Sequence, residues 1–251
     1  MKPAQTDLSI YGKLDSERAP VGVKFMLGKP EGIEQLDKTM ALCEMPKEAQ
    51  DRGTPFYITS ENENCGGSFA LGMVDPSPIG ASGQVGPKYG IFQDARANRR
   101  ITKEGPKLEK GSANYVAFST LDKLPFDPDL LILVTTTSQA EIVMRAMSYS
   151  TGELWVSKIS NVGACSWMFI YPYLEGKVNH TTTGMAFGMK ARHTFPEGLS
   201  VISIPYQWIP TIAQNLQEME WVLPAYRDTR EEFFARDKKI MEELAQEFGN
   251  P

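Results

Sequence analysis

The feature that most constrains the fold is the run "DLLILVTTTSQAEIVMRAM", residues 129–147. Its first half is an apolar stretch of strand length that ends in three threonines. Its second half is an amphipathic helix. Ser138 and Glu141 have capping-box spacing, and Ile142, Val143, Ala146 and Met147 line one face. A strand that feeds straight into a capped helix points to alternating β and α elements.

That alternation runs along the chain. "PVGVKFML", "TPFYITS", "NYVAFST", "ELWVSKIS" and "GLSVISIP" read as strands. "GIEQLDKTMALCEMPKEAQDRG" reads as helix in two pieces broken at Pro46, with Gly53 as its stop. "CGGSFALGM" and the residues around Arg96 read as helical, and "ACSWMFIYPYLEG" as a helix that kinks or stops near Pro172. "WIPTIAQNLQEME" is a further helix. From Asp228 to Phe248 the pattern is a long amphipathic helix. Thr229 and Glu232 are its capping pair, and Phe233, Ile240, Met241, Leu244 and Phe248 its apolar stripe. The class is α/β or α+β.

The length, 251 residues, suits one domain over 1–251 with a sizeable core. A net charge of −5 and a pI near 5.3 argue against a nucleic-acid surface or an anionic-membrane surface. The N-terminus "MKPAQTDLSIYGKL" has no apolar leader core, and no apolar run is long enough to span a bilayer, so the expectation is a cytoplasmic protein. No Gly-x-Gly-x-x-Gly, P-loop, His-Glu-x-x-His or Gly-x-Ser-x-Gly pattern is present, which removes the common nucleotide, zinc-protease and serine-hydrolase signatures.

Chemistry falls to three cysteines, Cys43, Cys65 and Cys165. Placing "FYITSENENC" over "VSKISNVGAC" matches Ser60 with Ser160 and Cys65 with Cys165. The flanks add Gly83-Gln84-Val85 against Gly176-Lys177-Val178, and Ala95-Arg96 against Ala191-Arg192. The pattern suggests an internal duplication, with similar lobes over 14–110 and 111–222 and a C-terminal helix over 223–251. Cys65 and Cys165 would then start equivalent helices, where the helix dipole lowers a thiol pKa.

Three thiolates that converge could hold an iron–sulfur cluster with one iron open, or zinc with His180 or His193 as fourth ligand. The spacings match no local ligand motif, and free cysteine is also a common core residue. Two further readings therefore stay open: a metal-free module binding a small organic anion, and a cysteine-dependent redox enzyme. Lys24 interrupts an apolar strand. Arg96 and Arg192 end glycine-rich approaches that suit a carboxylate or phosphate. Gln139 lies in the hydroxyl-rich "VTTTSQ", which is either an anion cradle or a plain helix cap. These four are the candidate anion ligands. The C-terminal stripe suits core packing or a homo-oligomer interface.

In order along the chain, "PVGVKF", "ALCEM", "CGGSFALGM", Gln139 within "TTTSQAEIVMRA", "GACSW", "GMKAR" and "GLSVISIP" together resemble the bacterial and archaeal family known as domain of unknown function 169. The resemblance spans about residues 8–220. It implies a cytoplasmic α/β protein whose cysteine segments belong to the family pattern. It carries no established activity.

Overall fold

A computed structural model describes residues 7–14 and 17–249. Residues 1–6, on which the leader-free reading of the N-terminus partly rests, lie outside the described residues. Among the described residues no helix is long and apolar enough to cross a membrane. The chain divides into two compact units, Met1–Gln217 and Glu218–Pro251.

The first unit is built on one seven-stranded sheet in the order β2-β3-β4-β1-β5-β7-β6. The strands are β1 (Val21–Met26), β2 (Glu34–Gln35), β3 (Phe56–Ile58), β4 (Tyr115–Thr120), β5 (Leu130–Thr135), β6 (Asn179–Thr182) and β7 (Ser200–Pro205). All neighbours are antiparallel except β2 and β3. All six residues of β5 and of β7 are buried, because both faces of the sheet are covered there.

Alternation along the strands assigns the two faces. Val21 and Val23 of β1, Phe56 and Ile58 of β3, Val116 and Phe118 of β4, and Leu130, Ile132 and Val134 of β5 share one apolar cluster. Helix α1 (Met45–Arg52) adds Met45 and Ala49 to it. The intervening residues Leu131, Leu133, Ile202 and Ile204 face the other way and are just as buried. Over that side lie α6 (Thr137–Tyr149) and α9 (Ile209–Glu218), joined where Asn215 Nδ2 donates to the Ala146 carbonyl at 2.7 Å.

Between α1 and α6 the chain makes α2 (Gly67–Ala70), α3 (Pro78–Ser82), α4 (Val85–Lys88) and α5 (Ala95–Glu104). After α6 come a π-helical turn (Ser166–Ile170), α7 (Tyr171–Glu175) and α8 (Phe187–Ala191). The second unit carries α10 (Arg230–Phe248), capped by Thr229 and Glu232 as its sequence predicts.

Several local expectations change. Pro46 begins α1 instead of breaking a helix, since a proline in the first turn forfeits no hydrogen bond, and Gly53 ends α1 in a left-handed conformation. The cap of α6 is Thr136 with Gln139, two residues before the expected pair. At "ELWVSKIS" no ladder forms. The buried Asn179 side chain instead accepts from Lys158 N–H at 2.9 Å and donates to Lys158 C=O at 3.0 Å, doing a strand's work with an amide. Pro172 does not stop its helix: the π turn shifts the register and Pro172 falls in the first turn of α7.

The expected duplication is not confirmed. Leaving out β2 at one edge, the strand order does read symmetrically outward from the β1–β5 pair. The helices do not follow. A twofold axis normal to the sheet keeps each element on its own face, yet α1 packs on one face and α6 on the other. The place of β3 is taken by β6, which follows Cys165, whereas β3 precedes Cys65.

An aromatic chain fastens the sheet to the π turn. Phe56 stacks on Phe118 with ring centroids 5.4 Å apart, and Phe118 meets Phe169 edge-on at 6.1 Å. Phe118 is fully buried. Replacing it with alanine is expected to destabilise the protein by roughly 3–5 kcal/mol in urea unfolding, from lost burial and the cavity left behind.

Candidate functional site

Three separate segments meet on the α1 face. Cys43 sits in a 3₁₀ turn, Leu42–Glu44, just before α1. The Glu44 carboxylate accepts from the Ala41 N–H at 2.8 Å and closes that turn. Cys65 lies two residues before α2, and Cys165 immediately before the π turn. Helix α2 packs against both the Leu42–Glu44 turn and the π turn. Cys43 and Cys165 belong to the same apolar cluster.

Glu63 holds the first two segments together. Its Oε1 accepts from Leu42 N–H at 3.3 Å, and its Oε2 from Cys65 N–H at 3.0 Å and Ser68 N–H at 3.1 Å. Buried Asn62 extends the seam, donating to the Leu36 carbonyl at 2.7 Å. The approach is close enough to require glycine at 67. A Cβ there would stand 2.6 Å from Leu42 Cβ and 2.7 Å from Glu63 Oε1.

The three sulfurs act on one another. Burial pushes the Cys43 thiol up to about 12; Cys65 and Glu44 add to the rise, against the pull of Arg192. Burial raises Cys165 further still, with Cys43, Cys65 and Glu63 adding to the effect. Cys65 is the exposed member. Arg192, at the end of α8, donates from Nη1 to the Gly188 carbonyl at 3.0 Å, its Nε stands 3.7 Å from Glu44 Oε2, and its charge lies near enough to act on the Cys65 and Cys43 sulfurs. Burial opposes the Arg192 charge, but Cys65, Cys43 and Glu44 outweigh it and keep the guanidinium firmly protonated.

The sequence therefore predicts the sign of the Cys165 shift wrongly. A helix-start position favours thiolate, but Cys165 packs against the apolar cluster, where burial dominates. Desolvation in an apolar cluster is the larger force.

The remaining candidate ligands stand elsewhere. Val21, Val23 and Phe25 contribute to the cysteine-side cluster, so Lys24 between them points through the opposite face. There it donates to the Asp127 carbonyl at 2.8 Å and pairs with Asp129 at 3.8 Å. Gln139 belongs to the α6 cap and donates to the Leu14 carbonyl at 2.6 Å. Arg96 is exposed in the first turn of α5, beside Asp94. His180 pairs with Ile202 in register, so it too faces away from the cysteines, and its Nε2 lies 3.1 Å from Ser200 Oγ. His193, next to Arg192, is exposed and takes a left-handed backbone conformation with φ of 53°.

Of the sequence-derived residues, Cys43, Cys65, Cys165 and Arg192 come together. Glu63, Glu44 and Gly67 complete the cluster and were not singled out by sequence reasoning. "ENEN" reads as a polar loop, and nothing in its spacing marks Glu63 as the residue that faces inward. Among the described residues, no three His, Cys, Asp or Glu side chains form a ready-made metal cage.

The architecture is thus an α/β protein with a three-thiol, one-arginine cluster on one sheet face. The sequence profile of DUF169, described as an uncharacterised ArCR family, matches residues 9–215, and the chain belongs to that family. No curated protein and no solved structure matches it.

The thiol shift has a consequence for stability. In the metal-free protein folded Cys43 keeps its proton to about pH 12, whereas an unfolded thiol loses it near 9.0. Between those values the folded state binds the extra proton, so stability falls as pH rises through the window. In Cys43→Ala, the slope of unfolding free energy against pH above 9 is expected to be shallower than in the parent, whatever the offset from lost packing.

Proposed function

We propose that the protein binds a thiolate-held metal centre, with an iron–sulfur cluster as the preferred occupant, through Cys43, Cys65 and Cys165. The observation that carries this reading is the approach of three cysteines from three distant segments: Cys43 and Cys165 lie at one apolar cluster, and exposed Cys65, with the Arg192 cation, is near enough to act on them electrostatically. Buried thiols that raise one another's pKa hold their protons at neutral pH. A soft cation reverses that balance by favouring thiolate, so loading would release protons and strengthen with pH.

Two features favour a cluster over a lone zinc ion. Zinc draws four donors tightly around one point, and only three cysteines are on hand. A cluster spreads its thiolates over several irons and can leave one iron without a protein ligand. Arg192 supplies positive charge that would offset thiolate charge. With Cys65 at the solvent side, any small anion would approach past Arg192.

Exposure of Cys65 beside Arg192 also supports a second reading, thiol redox chemistry at Cys65 with a buried cysteine as its partner. The two separate cleanly. Protein purified without oxygen is expected to carry iron and acid-labile sulfide near stoichiometry, with visible absorbance that each of Cys43→Ser, Cys65→Ser and Cys165→Ser diminishes. Protein that carries no iron, zinc or other metal near stoichiometry, yet forms a reversible disulfide involving Cys65, would replace the metal reading with the redox one.

A further inference from the structure

The loop "LDKLPFDPD", residues 121–129, is stiffened by Pro125 and Pro128 and lies on the sheet face opposite the cysteines. Val21 and Val23 belong to the cysteine-side cluster, so Gly22 between them faces the other way. A Cβ at Gly22 would collide with Leu124 Cδ1 and stand 3.4 Å from Pro128 Cβ, so glycine is what lets the loop lie this close to β1. Backbone bonds hold it there. Leu121 N–H donates to the Pro20 carbonyl at 2.8 Å, and Asp129 N–H to the Val23 carbonyl at 2.9 Å. The 3₁₀ turn Leu8–Lys13 packs against the start of the loop, and its buried Tyr11 hydroxyl donates to the Ile209 carbonyl at 2.7 Å.

These fixed segments, with the start of α9, enclose a cleft of about 870 Å³, a size that suits a small organic ligand. Leu8, Leu121, Leu124 and Ile209 give it apolar walls, and Phe126 and Tyr206 add two aromatic side chains. Its charged lining residues are Asp7, Asp122 and Asp127, all exposed, with no Lys, Arg or His among the lining residues. Asp7 accepts from Ser9 N–H at 2.9 Å. The side chains of Asp122 and Asp127 have neither a hydrogen bond nor an ion pair among the described residues. Neighbouring cations are engaged elsewhere. Lys24 donates to the Asp127 carbonyl at 2.8 Å and pairs with Asp129 at 3.8 Å, and Lys123 donates to the Gly53 carbonyl at 2.6 Å. Lys13 acts on Asp7 from outside the lining.

We propose that this cleft is a binding site for an organic cation, a protonated amine carried on an aryl or alkyl body. Apolar walls take the hydrocarbon out of water, while the ammonium stays near the exposed carboxylates and the aromatic rings. An anionic ligand of the same shape would meet three like charges with no lining cation to answer it. The cleft and the cysteine cluster lie on opposite faces of the sheet, so amine binding does not depend on the metal reading.

Calorimetric titration of the full chain with phenethylamine, phenethyl alcohol and hydrocinnamate at low salt tests this, with circular dichroism to confirm that each variant is folded. Saturable binding of one phenethylamine per chain is expected, weakening as sodium chloride is raised. The alcohol is expected to bind about tenfold more weakly than the amine, and hydrocinnamate more weakly still. Asp122→Asn and Asp127→Asn should each weaken the amine about two- to fivefold, Phe126→Ala should weaken it further, and Cys65→Ser should leave it unchanged. Absence of saturable amine binding overturns the proposal. So does an alcohol that binds as tightly as the amine, or an affinity that the aspartate variants and Phe126→Ala all leave intact. Loss of amine binding in Cys65→Ser would place the amine at the thiols and overturn it equally.

Discussion

The cysteine cluster depends on one carboxylate. Glu63 gathers three backbone N–H groups, from Leu42, Cys65 and Ser68, that would otherwise end their segments unpaired. A buried donor left without an acceptor costs about 1–3 kcal/mol, and charged acceptors bind more strongly than neutral ones. This side chain thereby fixes the separation of two turns that are twenty-two residues apart. The glycine at 67 lets those turns approach, and the aromatic contacts of Phe118 bring the third segment to meet them.

The sheet divides the molecule's polar chemistry in two. On one face, thiols, Arg192, Glu44 and Glu63 surround an apolar floor. On the other, Lys24, Gln139 and His180 spend their hydrogen bonds on backbone carbonyls and a serine. The second group resembles the first in a list of residues, but its work is to hold loops and caps in place. Arg192 and Lys24 each donate to a backbone carbonyl and pair with a carboxylate, and Arg192 differs in that its charge also acts on the Cys65 and Cys43 sulfurs.

Much of this architecture was legible from residue pattern. β1, β4, β5 and β7 show as apolar runs, and the caps of α10 stand in the sequence. What could not be read was three-dimensional. "ELWVSKIS" has strand composition, but whether a ladder forms depends on a neighbour, and Asn179 took that place. The apparent repeat matched short words, while the face on which each helix packs is set by long-range burial. Cys43, Cys65 and Cys165 were visible as chemistry, but the upward shift of the Cys165 thiol was not. Position along a helix is local information, whereas desolvation depends on everything packed around the sulfur. Glu63 was missed for the same reason, since a carboxylate in a polar loop gives no sign that it faces inward.

The π turn at Ser166–Ile170 carries an implication for how this cluster can vary. Such a turn accommodates one more residue than an α-helical turn between the same ends. Losing a single residue there would tighten the turn and swing Cys165 by about 100° around the helix axis relative to Phe169 and Ile170. The aim of that sulfur is therefore set separately from the apolar face below it. A one-residue change in length could redirect the thiol while the sheet and its core stayed as they are.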